Sequence, residues 1–240
     1  MTNVICIKWG DKYPPHYVNK LYGMVSRQLK RPFRFVCFTD DGREGLRQEV
    51  ETAPIPPIIL PARQRDWPWR KVSLFAPKLG DLSGPTLFLD LDILVVGPLD
   101  DFLDYPGEFC VIENWRQRGQ SVGNTSVYRF VVGAHADLYQ HFMRDPAAII
   151  AQHRNSQTFI SHYLSGRLTF WPPEWVRSFK LHCVPPYVLR AFIAPRIPYG
   201  ARIIAFPGEP KMPDAAAGKW SGGPHKYFRK APWINSYWYE

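Results

Sequence analysis

The run Leu87-Phe88-Leu89-Asp90-Leu91-Asp92-Ile93-Leu94-Val95-Val96 constrains this chain more than any other feature, because two carboxylates interrupt its most apolar stretch. Burying an unpaired carboxylate is costly, so the fold must supply a compensating partner. In an extended segment, residues two apart project to the same side. Asp90 and Asp92 are therefore expected to converge on one hard divalent cation, Mn²⁺ or Mg²⁺, which prefers oxygen ligands. The alternative is that each aspartate caps a turn or pairs with a basic neighbour. The run is ten residues long, whereas a membrane-spanning helix needs about 20 apolar residues. It reads instead as a buried strand whose end carries a site, as strand ends do in open α/β sheets.

The neighbouring segments agree with a layered α/β fold. Asn3 to Lys8 reads as a buried strand. Pro15 to Lys30 reads as a helix, with Val18, Leu21, Tyr22, Val25 and Leu29 at helical spacing and proline at its start. Phe33 to Phe38 is a second strand, closed by the turn signal Thr39-Asp40-Asp41-Gly42. This β-α-β opening implies a mostly parallel central sheet flanked by helices. Residues 52–68 are proline-rich and read as a loop, Trp69 to Leu79 as a short helix and Thr86 to Leu89 as a strand. Further strands are expected at Glu108 to Glu113, Ser126 to Val132 and Ala201 to Phe206, and helices at His135 to Arg144 and Ser156 to Leu164.

Of 240 residues, 45% are apolar, enough for one substantial core. The whole chain, 1–240, is read as one domain, divided into 1–115, 116–215 and a basic, aromatic tail over 216–240. Cys6, Cys37, Cys110 and Cys183 form no CxxC pair, and the first three sit in β-like runs as reduced core residues. The apolar run Val4 to Ile7 is too short for a secretory signal, so a cytoplasmic location is expected. Lys and Arg outnumber Asp and Glu by nine, which favours anionic partners.

Beyond the aspartate pair the sequence resembles a known family. FLDLDILVVGPLDDFL is similar to the DxD region of the GT-A glycosyltransferases, in particular glycosyltransferase family 8 and its bacterial relatives. Trp69-Arg70-Lys71-Val72-Ser73-Leu74-Phe75 resembles the helix that precedes DxD, and Gly123-Asn124-Thr125-Ser126-Val127 resembles the strand lining the family's sugar and acceptor pocket. Ser156-Gln157-Thr158-Phe159 resembles its "DQ" motif, and Phe206-Pro207-Gly208-Glu209-Pro210-Lys211 its "HFxGxxK" loop. These matches fall in the family's order over roughly residues 3–215.

The resemblance implies a GT-A-like nucleotide-diphospho-sugar transferase fold and a metal-dependent glycosyltransferase, a single catalytic domain with its nucleotide-binding half over 1–115 and its acceptor-side half over 116–215. Asp90 and Asp92 are the implied metal ligands, and Lys71, Gly208 and Lys211 the implied contacts to the donor, with Asp92, Gln157 and Lys211 closest to the chemistry. Asn124, Thr125 and Gln157 are expected to shape the sugar and acceptor pocket. Lys8, Trp9, Gly10 and Tyr13, following the first strand, suit a nucleotide-binding loop, with a ring stacking on the base and Asp40 near base or ribose. The expected donor is a UDP-sugar and the acceptor a glycan or lipid-linked glycan, in polysaccharide biosynthesis. Two positions depart from the family pattern: Ala205 stands where a histidine usually completes the metal shell, and Ser156 replaces the aspartate of "DQ". The retaining outcome of family 8 is therefore not implied here.

Other residues enter with less. His182 and His225 are the candidates for a replacement metal ligand, and Glu113 for a base if the anomeric configuration inverts. The tail, Lys226-Tyr227-Phe228-Arg229-Lys230 to Trp238-Tyr239, interleaves basic and aromatic residues. It suits either an anionic membrane at the inner face or packing across the domain as a lid. Two other function classes compete. A non-catalytic module for anionic glycans or nucleic acid suits the charge but gives no reason for two aspartates in an apolar strand, and no nucleic acid is expected. A DxD phosphohydrolase expects Thr or Val where Leu94 stands.

Overall fold

The structure, a computed structural model, describes residues 2–64, 68–223 and 225–240. The β-α-β opening forms as the pattern predicts: strand β1 (Thr2–Lys8), helix α1 (Pro15–Gln28) and strand β2 (Phe33–Thr39), with β1 and β2 parallel in register from Thr2↔Phe33 to Lys8↔Thr39. Pro15 lies in the first turn of α1, where the missing N–H is no loss. Strand β3 (Glu51–Pro54) extends the sheet beyond β2. Its proline-rich sequence suggests a loop instead; proline is tolerated because β3 is an edge strand. Residues 65–67 of that proline-rich stretch lie outside the described residues.

On the other side of β1 comes β4 (Pro85–Leu89), parallel to it. Next are β7 (Gly123–Val131), antiparallel to β4, then β6 (Phe109–Glu113) and β8 (Leu168–Phe170). The seven-stranded order is β3-β2-β1-β4-β7-β6-β8. Alternate residues enter separate cores on its two faces. Val4, Cys6, Phe35, Cys37, Leu87 and Leu89 share one core with α1, the short helix α2 (Asp100–Asp104) and the C-terminal region. Ile5, Ile7, Val36, Phe38, Phe88 and Tyr128 share the other with helices α3 (Ala136–Arg144), α4 (Pro146–Gln152) and α5 (Ser156–Tyr163). Burial on both faces is what near-continuous apolar strands require. All four cysteines are free and buried.

Two further differences from the sequence reading matter to the site, and the tail takes up packing on the domain, one of the two arrangements expected of it. The segment after Pro68 is not an α-helix but a 3₁₀ run, Pro68–Phe75. There the Ser73 hydroxyl donates to the Arg70 carbonyl at 2.7 Å, and Pro77 disfavours helical geometry just beyond. Asp90 and Asp92 do not share one strand. Strand β4 ends at Leu89, the chain turns, and β5 (Ile93–Val95) enters a second sheet of order β5-β10-β9, with β9 Val176–Ser178 and β10 Ile203–Ala205. The tail is packed: Phe228, Ala231, Ile234 and Trp238 are buried in the core that includes α1. Arg27 of α1 donates to the carbonyls of Tyr237 and Tyr239 at 2.7 and 3.0 Å. The tail's aromatic residues are thus largely committed to the protein. Among the described residues no helix is long and apolar enough to cross a membrane.

Candidate active site

The turn between the two sheets places Asp90 and Asp92 at the floor of a cavity of about 740 Å³. Backbone hydrogen bonds fix both ends of this turn. The Asp90 N–H donates to the Ser126 carbonyl of β7 at 2.9 Å, and the Phe206 N–H donates to the Asp92 carbonyl at 2.8 Å. Each sheet therefore holds one aspartate, and the pair marks the seam between them.

Each carboxylate has a cation. Lys71, in the 3₁₀ run, lies with its Nζ 2.6 Å from either oxygen of Asp90 and 3.4 Å from the Thr125 carbonyl. Lys211 donates to Asp92 Oδ2 at 2.6 Å and to the Phe206 carbonyl at 3.2 Å. Tyr13, on the loop between β1 and α1, donates its hydroxyl to the same Asp92 oxygen at 2.9 Å. Burial is the largest influence on Asp90 and pushes its carboxyl up to about 6, against the pull of Lys71 and with the repulsion of Asp92. Burial followed by the Asp92 charge also raises the Tyr13 phenol, so that hydroxyl remains a donor.

The cavity brings together most of the residues singled out from sequence. Trp9, Gly10, Tyr13, Lys71, Asp90, Asp92, Asn124, Thr125, Gln157 and Gly208 all line it, whereas Lys211 does not and reaches the site through Asp92. Asn124 turns its Oδ1 to the Ser126 N–H at 3.1 Å. Gln157 sits in the first turn of α5, which Asn155 caps by accepting from the Thr158 N–H at 3.0 Å. Gly208 has φ +71°, a backbone region that favours glycine. Two expected donor contacts lie behind the wall instead. Lys8 is buried and ion-paired with Asp41, and Asp40 accepts from the Gly10 N–H at 3.3 Å. Both brace the Trp9–Tyr13 loop rather than face the cavity.

Glu113, the base expected for an inverting reaction, accepts from the Gly119 N–H at 2.7 Å and serves the loop after β6. His182 accepts from the Ser178 N–H at 2.9 Å, and His225 is exposed; neither lines the cavity. Ala205 is buried in β10 between Ile93 and Ser178. Sequence reasoning missed Lys180, Arg116 and Arg154, which also line the cavity. Burial lowers the Lys180 ammonium, and the charges of Arg116 and Lys211 lower it further. The charges of Glu209 and Asp92 oppose that lowering. Each of the three cations stands outside any apolar periodicity, so nothing in the pattern separates it from a solvated surface charge.

The donor set suits a hard divalent cation in kind, since it consists of two carboxylates. Both donors to Asp92 converge on Oδ2, leaving Oδ1 without a hydrogen-bond donor among the described residues. No cluster of three or more His, Cys, Asp or Glu able to hold a metal is found among the described residues. Asp90 and Asp92 are thus the residues that would hold such an ion, with the remaining positions left to water or a ligand.

No protein-family model matches the chain, and no curated protein matches it. Solved structures do. A galactosyltransferase, LgtC, in complex with donor and acceptor sugar analogs matches at 13% identity over 88% of each chain, with a TM-score of 0.55. An active-site mutant of LgtC matches at 12% identity over 88% of this chain and 89% of that one, with a TM-score of 0.56. Likeness at this identity is likeness of fold, and by it the chain has the mixed α/β fold of the GT-A glycosyltransferases.

Proposed function

We propose that this chain transfers a sugar from a nucleotide-diphospho-sugar, with UDP the expected nucleotide, to a glycan or lipid-linked glycan, assisted by Mn²⁺ or Mg²⁺ at Asp90 and Asp92. The observation that carries the reading is the pair of carboxylates at the end of β4, each matched to a lysine, in a cavity whose basic residues exceed its acidic ones. Asp11, Asp90 and Asp92 face Lys12, Lys71, Arg116, Arg154 and Lys180 across the lining.

The work divides between the walls of the cavity. Tyr13 and Trp9 are the residues to receive the base and ribose, while Asn124, Thr125 and Gln157 offer polar groups to the sugar. As a diphosphate leaves, negative charge grows on its bridging oxygen, and preorganised cations stabilise that charge. Lys211 and Lys180 are the residues for this role, both tied to the backbone leading into Gly208: Lys211 donates to the Phe206 carbonyl and Lys180 to the Pro207 carbonyl. A bound divalent cation would add Lewis-acid stabilisation of the same charge.

Titration calorimetry with UDP, GDP, CMP and ADP, each with Mn²⁺ and with chelator, tests this. One nucleotide is expected to bind in a metal-dependent way, and Asp92→Ala to abolish that dependence. A chain that binds none of the four in either condition is not a nucleotide-sugar transferase.

A further inference from the structure

The net charge of this protein is not spread over it. From Trp175 to Gly208 there are five basic residues and no acidic one, and from Ala215 to Tyr239 four basic residues and no acidic one. Elsewhere the chain carries twenty-one of each sign. The formal charge of +9 therefore belongs wholly to these two segments.

The structure joins them. The Tyr227 hydroxyl donates to the Tyr187 carbonyl at 3.3 Å, Arg229 to the Ala191 carbonyl at 3.3 Å, and the Trp233 indole to the Pro195 carbonyl at 2.9 Å. The tail thus forms a base on which the loop 185–199 is mounted. Seven of the ten large apolar residues exposed among the described residues lie between Leu181 and Tyr199, so the exposure is local rather than scattered. Val188, Phe192 and Tyr199 are 74%, 77% and 100% exposed. Around Leu189 the backbone makes a helical turn, with the Ile193 N–H donating to the Leu189 carbonyl at 2.8 Å. Val188 and Phe192, four apart, share a face of such a turn.

From these features we propose that the loop 185–199 docks on an anionic lipid bilayer, its apolar tip entering the headgroup region and Arg196, Lys226 and Arg229 meeting the lipid charges. Apolar side chains projecting from segments that carry basic residues and no acidic one match a plane of negative charge over an apolar interior; Glu174, the acidic neighbour, packs against Gly200 at the far end of the loop. A second copy of the chain fits poorly, because two concentrations of like charge would face each other. The loop also follows closely on the cavity wall: Lys180 and Leu181 line the cavity, five and four residues before Pro185. Resting on the transferase reading, this geometry favours an acceptor carried by a lipid.

Sedimentation with extruded vesicles, without any donor, tests the docking separately from that reading. Vesicles of phosphatidylcholine alone are compared with vesicles containing about one third phosphatidylglycerol. The protein is expected to bind the anionic vesicles, to leave them at high salt, and to ignore the neutral ones. The double variant Val188→Ser/Phe192→Ser should bind them at least ~10-fold more weakly, since it removes the inserted apolar area, and Arg196→Glu/Lys226→Glu should lose them by a change of charge that leaves the three loop–tail hydrogen bonds in place. Wild-type protein remaining in the supernatant with anionic vesicles overturns the proposal, as does binding by both variants equal to wild type. A dimer in analytical ultracentrifugation that Val188→Ser/Phe192→Ser dissociates would also overturn it. Failure of nucleotide binding in calorimetry leaves the vesicle result standing, so the two readings fail separately.

Discussion

Lys71 and Lys180 are both buried or half-buried ammonium groups in the same cavity, yet their surroundings give them opposite consequences. Lys71 meets a buried carboxylate at 2.6 Å, and removing one partner of a buried pair leaves the other charge uncompensated, at a cost of about 3 kcal/mol. Lys180 meets the carbonyl of Pro207 and the like charges of Arg116 and Lys211. Burial and these charges disfavour its ammonium, and a bound anion would favour it. Lys71→Met is therefore expected to lower the Tm, while Lys180→Met leaves the Tm unreduced and weakens nucleotide binding by roughly 10-fold, the worth of one charge-assisted contact. Thermal denaturation and calorimetry on the two variants check the contrast. Lys180→Met with unchanged nucleotide affinity would remove Lys180 from the donor site. The aspartates are legible in the sequence because charge inside an apolar run is costly, and Lys71 and Lys211 only through the resemblance. Lys180 shows itself only in three dimensions.

At the level of elements, what can be read from sequence depends on length and period. β1, β2, β4 and α1 repeat their apolar residues over enough positions to declare themselves, and the structure differs from expectation there by no more than two residues at an end. β5, β8, β9 and β10 have three residues each, too few to establish any period, and only the last is expected from the sequence as a strand of its own. The tail is ambiguous for another reason: basic and aromatic residues suit a membrane surface and a protein surface alike. Its partner is α1. Lys20 lies 3.6 Å from the Trp238 ring and Arg27 3.6 Å from the Tyr239 ring. A Cβ at Gly23 would come within 2.9 Å of the Tyr239 carbonyl and the Glu240 backbone. Gly23→Ala should therefore cost about 1–2 kcal/mol by overpacking, and deleting residues 239–240 should abolish that cost. Denaturant unfolding of the four proteins in this cycle decides it. A penalty that persists in the truncated chain would place its origin within α1.

Across the whole molecule the two sheets meet at one acidic residue. Asp92 accepts from Tyr13, 79 positions earlier, and from Lys211, 119 positions later, while its carbonyl accepts from Phe206. The loop after β1 and the loop after β10 are thus tied to each other through a single carboxylate, although they belong to different sheets. Such a shared anchor couples their local opening, because loosening one tie leaves the other holding a less constrained group. Lys211→Met removes one tie directly. Hydrogen exchange is expected to quicken in residues 206–212, where the substitution lies, and also in residues 9–14, which the substitution does not touch. A bound nucleotide with its metal should slow both loops in the wild-type protein, since a ligand that prefers the closed arrangement suppresses opening of every part it contacts. Faster exchange confined to residues 206–212 would mean that the loops open independently. Asp92 would then serve each sheet separately, and closure around a donor would have to be assembled by the ligand rather than prepared by the fold.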